Sequence, residues 1–297
     1  MSIPLSPKSF VLWRDRQGTF SFPRAVALAA AILPALWFAG RAMAFGLGAR
    51  PLTEAIHFSG LWTVRLLLLT VAVTPLIAAT RKPRLVPMRR ILGVAVFAWI
   101  LVHFGLFVAD KSFDLIVVGQ EIVKRIYLAI GFVALLMLAA LAATSTDAAV
   151  SRMGANAWKR LHLLVYAIVL FGLVHFFMQS KADVTEPVIM AGLFLWLFLL
   201  RTPKRFGWPV SPVVLVAAGV VAGGVTALGE ALYFHLKVGA PVMDVLVADL
   251  DFSDGLRPLW WPLGASLLCA VALAGWRFAI AKTGPTPVRQ RLREIFT

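Results

Sequence analysis

Five histidines, His57, His103, His162, His175 and His235, are the residues of this chain best placed to do chemistry. All stand at or inside long apolar runs, where an ionisable side chain is expensive and raises a functional question. A neutral imidazole there either hydrogen-bonds a neighbouring helix or offers a ring nitrogen to a metal, most simply a haem iron. His103 lies 13 residues after Arg90 and His175 lies 13 residues after His162, each toward the same end of its apolar run. At about 1.5 Å rise per residue, His103 and His175 share one depth. Facing each other across a bundle core, they would form an axial pair for haem iron.

His162 lies roughly 20 Å nearer the opposite face. Stacked histidines at that separation suit two haems, one per leaflet. Thirteen steps of about 100° do not return to one helix face, so the helix must tilt or wind for both to meet one core. Arg90 stands where a matching histidine would be, and arginine keeps its proton and is a poor iron ligand. That level therefore has one obvious ligand, His162. It could bind a haem with an unusual partner, leave Arg90 to pair a haem propionate, help bind another cofactor such as a flavin phosphate, or only hydrogen-bond a helix. Arg160, in the same segment, joins the candidate cofactor-binding set. His57 is either an interfacial histidine or a competitor of His103 and His175. His235 reads as interfacial, Glu230 and Arg65 as snorkelling charges, and Trp260 and Trp261 as a headgroup-level belt.

The elements that must position these residues are membrane helices. The 297 residues are 60% hydrophobic and 14% charged, and the apolar residues fall in runs of about 20, the length that crosses ~30 Å of hydrocarbon. The expected fold is an all-α integral membrane protein, a polytopic bundle of about eight transmembrane helices near 25–43, 61–79, 90–109, 125–143, 159–178, 187–200, 211–236 and 260–280. The sixth is short. Lipid offers no partner to an unpaired backbone group, so only helices fit.

The net charge of +15 would suggest nucleic acid in a soluble protein. Here the basic residues gather in alternate loops: Lys8, Arg14, Arg16 and Arg24; Arg81, Lys82, Arg84, Arg89 and Arg90; Arg152, Lys159 and Arg160; Arg201, Lys204 and Arg205; Lys282, Arg289, Arg291 and Arg293. The intervening loops carry Glu54, Asp110, Asp114, Glu121, Asp183 and Glu186, then Asp244, Asp249, Asp251 and Asp254. That is the positive-inside pattern; it predicts cytoplasmic termini and no nucleic-acid partner. Arg24, the run 25–39 and Ala42-Met43-Ala44 also resemble a secretory signal, whose removal would leave seven spans.

Other chemistries find little support. A single cysteine, Cys269, excludes an intrachain disulfide, a thiolate-bound iron–sulfur cluster and structural zinc, and reads as a buried packing residue. The loops are too short for a nucleotide-binding domain, and no G-x-G-x-x-G, Ser/His/Asp set or H-E-x-x-H is present. Electrons from NAD(P)H would need a partner, or quinol would replace them. Gly219 and Gly223 make a small-xxx-small step that suits helix packing. Pro203 and Pro209 mark the only plausible module boundary.

Three stretches carry a resemblance: AIHFSG (55–60); RRILGVAVFAWILVHFGLF (89–107) with GQEIVKRIYLAIG (119–131); and TSTDAAVSRMGANAWKRLHLLVYAIVLFGLVHFF (144–177). Together they resemble the MsrQ (YedZ) family, haem-binding membrane subunits of the bacterial periplasmic methionine-sulfoxide reductase system, within the ferric-reductase-like transmembrane group. WKRLHLLVY (158–166) is the most specific piece. The resemblance implies haem b, an associated FMN, and a place in the inner membrane. It implies electron flow from the quinone pool or a cytoplasmic flavin reductase to a periplasmic molybdopterin reductase. It matches the family's haem histidines to His103, His162 and His175, and it argues that the first span is retained. Ferric and NADPH oxidase relatives carry two histidines on each ligand helix, and Arg90 departs from that pattern.

The expected organisation is a cytoplasmic segment 1–24, a ferric-reductase-like haem-binding core 25–202, two further helices with an acidic periplasmic loop over 203–281, and a basic cytoplasmic tail 282–297. Two rival functions stand beside electron transfer to a periplasmic partner. One is a ferric-chelate reductase acting directly at the outer face; the other is a non-redox transporter or assembly protein whose histidines relay protons or pack helices.

Overall fold

A segment that is apolar all round has no polar face to turn to water, and each of the long apolar runs folds as a helix. The computed structural model describes residues 13–14, 17–180, 183–201, 209–253 and 255–283. Lys8, Arg16, Pro203, Lys204, Arg205, Asp254, Arg289, Arg291 and Arg293 lie outside the described residues.

The helices are α1 (Phe22–Phe45), α2 (Pro51–Thr80), α3 (Val86–Asp110), α4 (Leu115–Lys124), α5 (Ile126–Ala143), α6 (Asp147–Met153), α7 (Ala155–His162), α8 (Leu164–Gln179), α9 (Thr185–Leu199), α10 (Pro212–Val238), α11 (Val242–Ala248) and α12 (Trp260–Thr283). Their ends follow local chemistry. Pro51 and Pro212 open α2 and α10, where a missing N–H goes unmissed. Asp114 caps α4 by accepting from the backbone of Ile116 and Val117, and Gly239 closes α10 in the left-handed region.

Among the described residues, seven helical segments are long and apolar enough to cross a membrane, with α7 and α8 together forming one of them. The chain is a multi-pass helical membrane protein. The short sixth span appears as α9, whose 15 residues extend about 22 Å. The amphipathic α4, between the ends of α3 and α5, falls between predicted spans.

The described chain forms two compact units, divided between Leu197 and Phe198. In the first unit α2 packs on α3, α3 on α5, α5 on α8 and α8 on α2, closing a four-helix ring. Helix α1 lies against α3 and α2. Trp99 of α3 donates its indole N–H to the Ala31 carbonyl at 2.9 Å, and Phe58 stacks on Phe38 with centroids 4.3 Å apart. Arg65 does not snorkel alone: it pairs with Glu186 at 3.2 Å and lies over the Trp62 ring. Cations at the predicted outer ends are similarly matched, Arg41 with Glu54, Lys111 with Asp110 and Arg125 with Glu121.

In the second unit α10 packs closely on α12. A Cβ at Gly219 would overlap Ser266, and one at Gly223 would meet the Leu259 carbonyl at 3.2 Å, so the small-residue step is a packing face. Cys269 is exposed rather than buried. Helix α12 buries the stripe Pro262, Ser266, Ala270 and Leu273, and Cys269 lies off that stripe. Glu230 does not snorkel: its side chain is buried, 3% exposed, and paired with Arg257.

Candidate haem site

The four-helix ring brings His103 of α3 and His175 of α8 together. Their ring centroids are 6.3 Å apart and their planes stand at 87°. Two imidazoles gripping one first-row metal ion through Nε2, at about 2 Å per bond and about 1.1 Å from nitrogen to ring centre, set their centroids roughly 6 Å apart. The observed spacing leaves room for one iron between the rings.

Each ring is oriented by the helix beside it. His103 Nδ1 lies 3.0 Å from the Ile56 carbonyl on α2, with Ser59 Oγ at 3.3 Å; His175 Nδ1 lies 2.7 Å from the Tyr127 carbonyl on α5. A carbonyl only accepts, so Nδ1 carries the proton in both rings and Nε2 keeps its lone pair. This is how a ligating histidine is held, its second nitrogen fixing tautomer and orientation.

Glycine makes the approach possible, and it does so twice in one pattern. Four residues after Ile56 stands Gly60, and four after Tyr127 stands Gly131. A Cβ at Gly60 would sit 3.0 Å from His103 Cε1, and one at Gly131 would sit 2.8 Å from His175 Nδ1. Each imidazole occupies the volume a side chain would fill. Sequence reasoning passed over Gly60, Gly131 and Ser59, although both glycines close the quoted stretches AIHFSG and GQEIVKRIYLAIG. A helix-interior glycine, costing about 0.5–1 kcal/mol against alanine, was the available signal.

His162 is separate from the pair. Its Nδ1 lies 3.1 Å from the Trp158 carbonyl of its own helix, and the two rings stack with centroids 3.9 Å apart. Trp158 is itself anchored, donating its indole N–H to the Thr144 carbonyl at 2.9 Å. His162 Nε2 is buried without a hydrogen-bond partner among the described residues. The helix does not tilt as one rod between His162 and His175. It breaks at Leu163, where Leu163 N–H bonds Arg160 and Tyr166 N–H bonds Leu163, both i to i−3. Such a turn advances each residue by about 120° and shifts the rotational phase between the two histidines.

The remaining candidates stand elsewhere. Arg90 donates to the Ser145 carbonyl and pairs with Asp147 at 2.7 Å. Arg160 and His57 are exposed. His235 closes its own helix end, with Nδ1 3.0 Å from the Ala240 carbonyl. His103 and His175 each place Nδ1 within hydrogen-bond distance of a carbonyl on a partner helix. No cluster of three or more His, Cys, Asp or Glu side chains suited to a metal ion occurs among the described residues.

Residues 59–173 match the family described as ferric reductase like transmembrane component. The chain is similar to the protein-methionine-sulfoxide reductase heme-binding subunit MsrQ of Caulobacter vibrioides, 40% identical over 173 residues, covering 58% of this chain and 82% of that protein. This chain belongs to the MsrQ family. The MsrQ subunits of Xanthomonas campestris pv. campestris and Rhodospirillum rubrum are 41% and 34% identical, over 73% and 88% of their lengths. No solved structure matches the chain. The stretch shared with the ferric-reductase-like description holds Ser59, Gly60, His103, Gly131 and His162 and stops two residues before His175. The MsrQ relatives are named for haem binding, and the facing pair within the four-helix ring suits that group in spacing, tautomer and cradle.

Proposed function

We propose that the protein is a membrane electron-transfer subunit that holds haem b between His103 and His175. The observation that carries this reading is the pair itself: two rings with centroids 6.3 Å apart, each held through Nδ1 by a carbonyl of a neighbouring helix, which leaves Nε2 as the ligating nitrogen. When bound, haem supplies a one-electron ferric–ferrous couple. The chain's own contribution is ligation, orientation and an apolar surround. Ile56 and Tyr127 hold the Nδ1 protons, Gly60 and Gly131 make room for the rings, and Phe104, whose ring lies 5.9 Å from Phe132, helps line the bundle.

The finer reading follows the family. The acceptor is a periplasmic molybdopterin methionine-sulfoxide reductase, and the donor is the quinone pool or a cytoplasmic flavin reductase. His162, with its free buried Nε2, and Arg160 near it are the residues proposed to serve a second cofactor, FMN or a further haem. Loop charge favours cytoplasmic termini, the family resemblance favours the inner membrane, and the haem-binding core lies within 25–202.

Optical difference spectra of the purified protein test this. Sharp reduced-minus-oxidised haem bands are expected, lost in His103→Ala and in His175→Ala and retained in His235→Ala. A colourless preparation would favour a non-redox transporter. Reduction of ferric chelates by the isolated subunit, with no periplasmic partner, would favour direct action at the outer face.

A further inference from the structure

The second unit, outside the stretch shared with the ferric-reductase-like description, contains a buried charge cluster that the haem site does not use. Arg257, in the loop before α12, donates to Glu230 Oε1 of α10 at 3.0 Å and lies 3.5 Å from Oδ1 of Asp249, the residue that ends α11. The two carboxylate side chains are 3% and 1% exposed, and Arg257 is 32% exposed. Glu230 Oε2 and Asp249 Oδ2 are both buried and make no hydrogen bond among the described residues. The cluster is braced by Trp260, whose indole donates to the Asp249 carbonyl at 2.9 Å.

Two ionised carboxylates against one guanidinium would leave a net negative charge on two buried side chains, with two acceptors unsatisfied. Buried charge of that kind is removed by pairing or by neutralisation. A metal ion is a poor remedy, because calcium needs six to eight oxygen ligands, roughly, and the positive guanidinium already occupies the site. A proton needs one oxygen.

We propose that Glu230, Arg257 and Asp249 form a proton-binding site in which the carboxyl pair retains one proton near neutral pH. The proton comes from solvent and adds to one of the two free oxygens, making the cluster neutral; no other bond changes. It belongs to the pair rather than to one residue. Burial pushes the Asp249 carboxyl above the usual carboxylate range against the pull of Arg257. The other titratable groups on the packed elements are Tyr233, His235 and Lys237 on α10, Asp244 on α11, Asp251 in the loop, and Cys269, Arg277 and Lys282 on α12. Of these, Asp244, Asp251, His235, Lys237, Cys269, Arg277 and Lys282 are exposed, and Asp251 is occupied by Ser253.

The test uses the full chain in detergent. Infrared spectra should show a protonated-carboxyl band that shifts in deuterated water and is lost in both Glu230→Gln and Asp249→Asn. The unfolding midpoint supplies a second measurement. A proton held in the folded state but not in the unfolded one stabilises fully below the unfolded carboxyl range, and that contribution is lost as pH rises through the folded value. The wild type should therefore lose stability on that rise, whereas either single amide variant should remove this component and remain as stable as the wild type at low pH. Absence of the band, with both amide variants destabilised at every pH, would overturn the proposal. So would stability at high pH that rises specifically with sodium, since a cation would then fill the site.

Discussion

At the scale of single residues, the proposed haem site rests on a carbonyl and a glycine four positions apart, used once on α2 and once on α5. Helix propensity alone would make Gly131→Ala stabilising by about 1 kcal/mol. The steric term opposes it, because crowding a packed site costs about 1–3 kcal/mol and here the crowded group is a ligand ring. A Cβ 2.8 Å from His175 Nδ1 must push the imidazole off the Tyr127 carbonyl. Gly131→Ala is expected to weaken haem binding about tenfold or more, as loss of outer-shell support does at metal sites. Gly60→Ala, with its nearest approach at 3.0 Å, should have the smaller effect. Haem titration of the apoprotein measures both; equal, wild-type affinities would show that the cradle is unimportant.

At the scale of elements, two features decide what the histidines and glycines can do. The break at Leu163 separates α7 from α8, so His162 and His175 belong to different helical phases despite sharing one apolar run. The α10–α12 contact depends on glycine in the opposite sense from the haem cradle, admitting a serine side chain and backbone. Gly219→Ala should cost about 1–3 kcal/mol through overlap with Ser266. Adding Ser266→Gly should recover part of it by removing the obstructing atoms. Thermal unfolding reads the loss and the recovery, and the haem bands should persist in both variants because the facing histidines lie in the first unit.

At the scale of the whole molecule, the number of crossings fixes the side on which each end of the chain lies. Helix α9 spans about 22 Å against a core of about 30 Å, so it crosses only by borrowing flanking residues or thinning the bilayer. Loop charge predicts that it does cross. A fluorescent protein fused after Thr297 should then fold and fluoresce in the cytoplasm, while alkaline phosphatase at that position should be inactive. With the amino-terminal side of α1 in the cytoplasm, the opposite result would mean an odd number of crossings. Arg41, Lys111 and Arg125, at the predicted outer ends, are each paired with an acidic neighbour.

Much of this was legible in the chain itself. Span length and apolar composition are properties of contiguous residues, so the membrane helices, and the shared depth of His103 and His175, follow from counting along the sequence. The family resemblance rests on contiguous stretches in the same way. Rotation and neighbourhood are different, because they depend on which helices touch. Tertiary structure alone decided that Ile56 and Tyr127 hold the Nδ1 protons, that Gly60 and Gly131 admit the rings, and that Arg90 turns to Asp147. It also moved Glu230 from a lone interfacial charge to a buried partner of Arg257 and Asp249. The physical reason is that a carbonyl, a missing Cβ or a counter-charge acts over a few ångströms in space, across tens of residues in sequence.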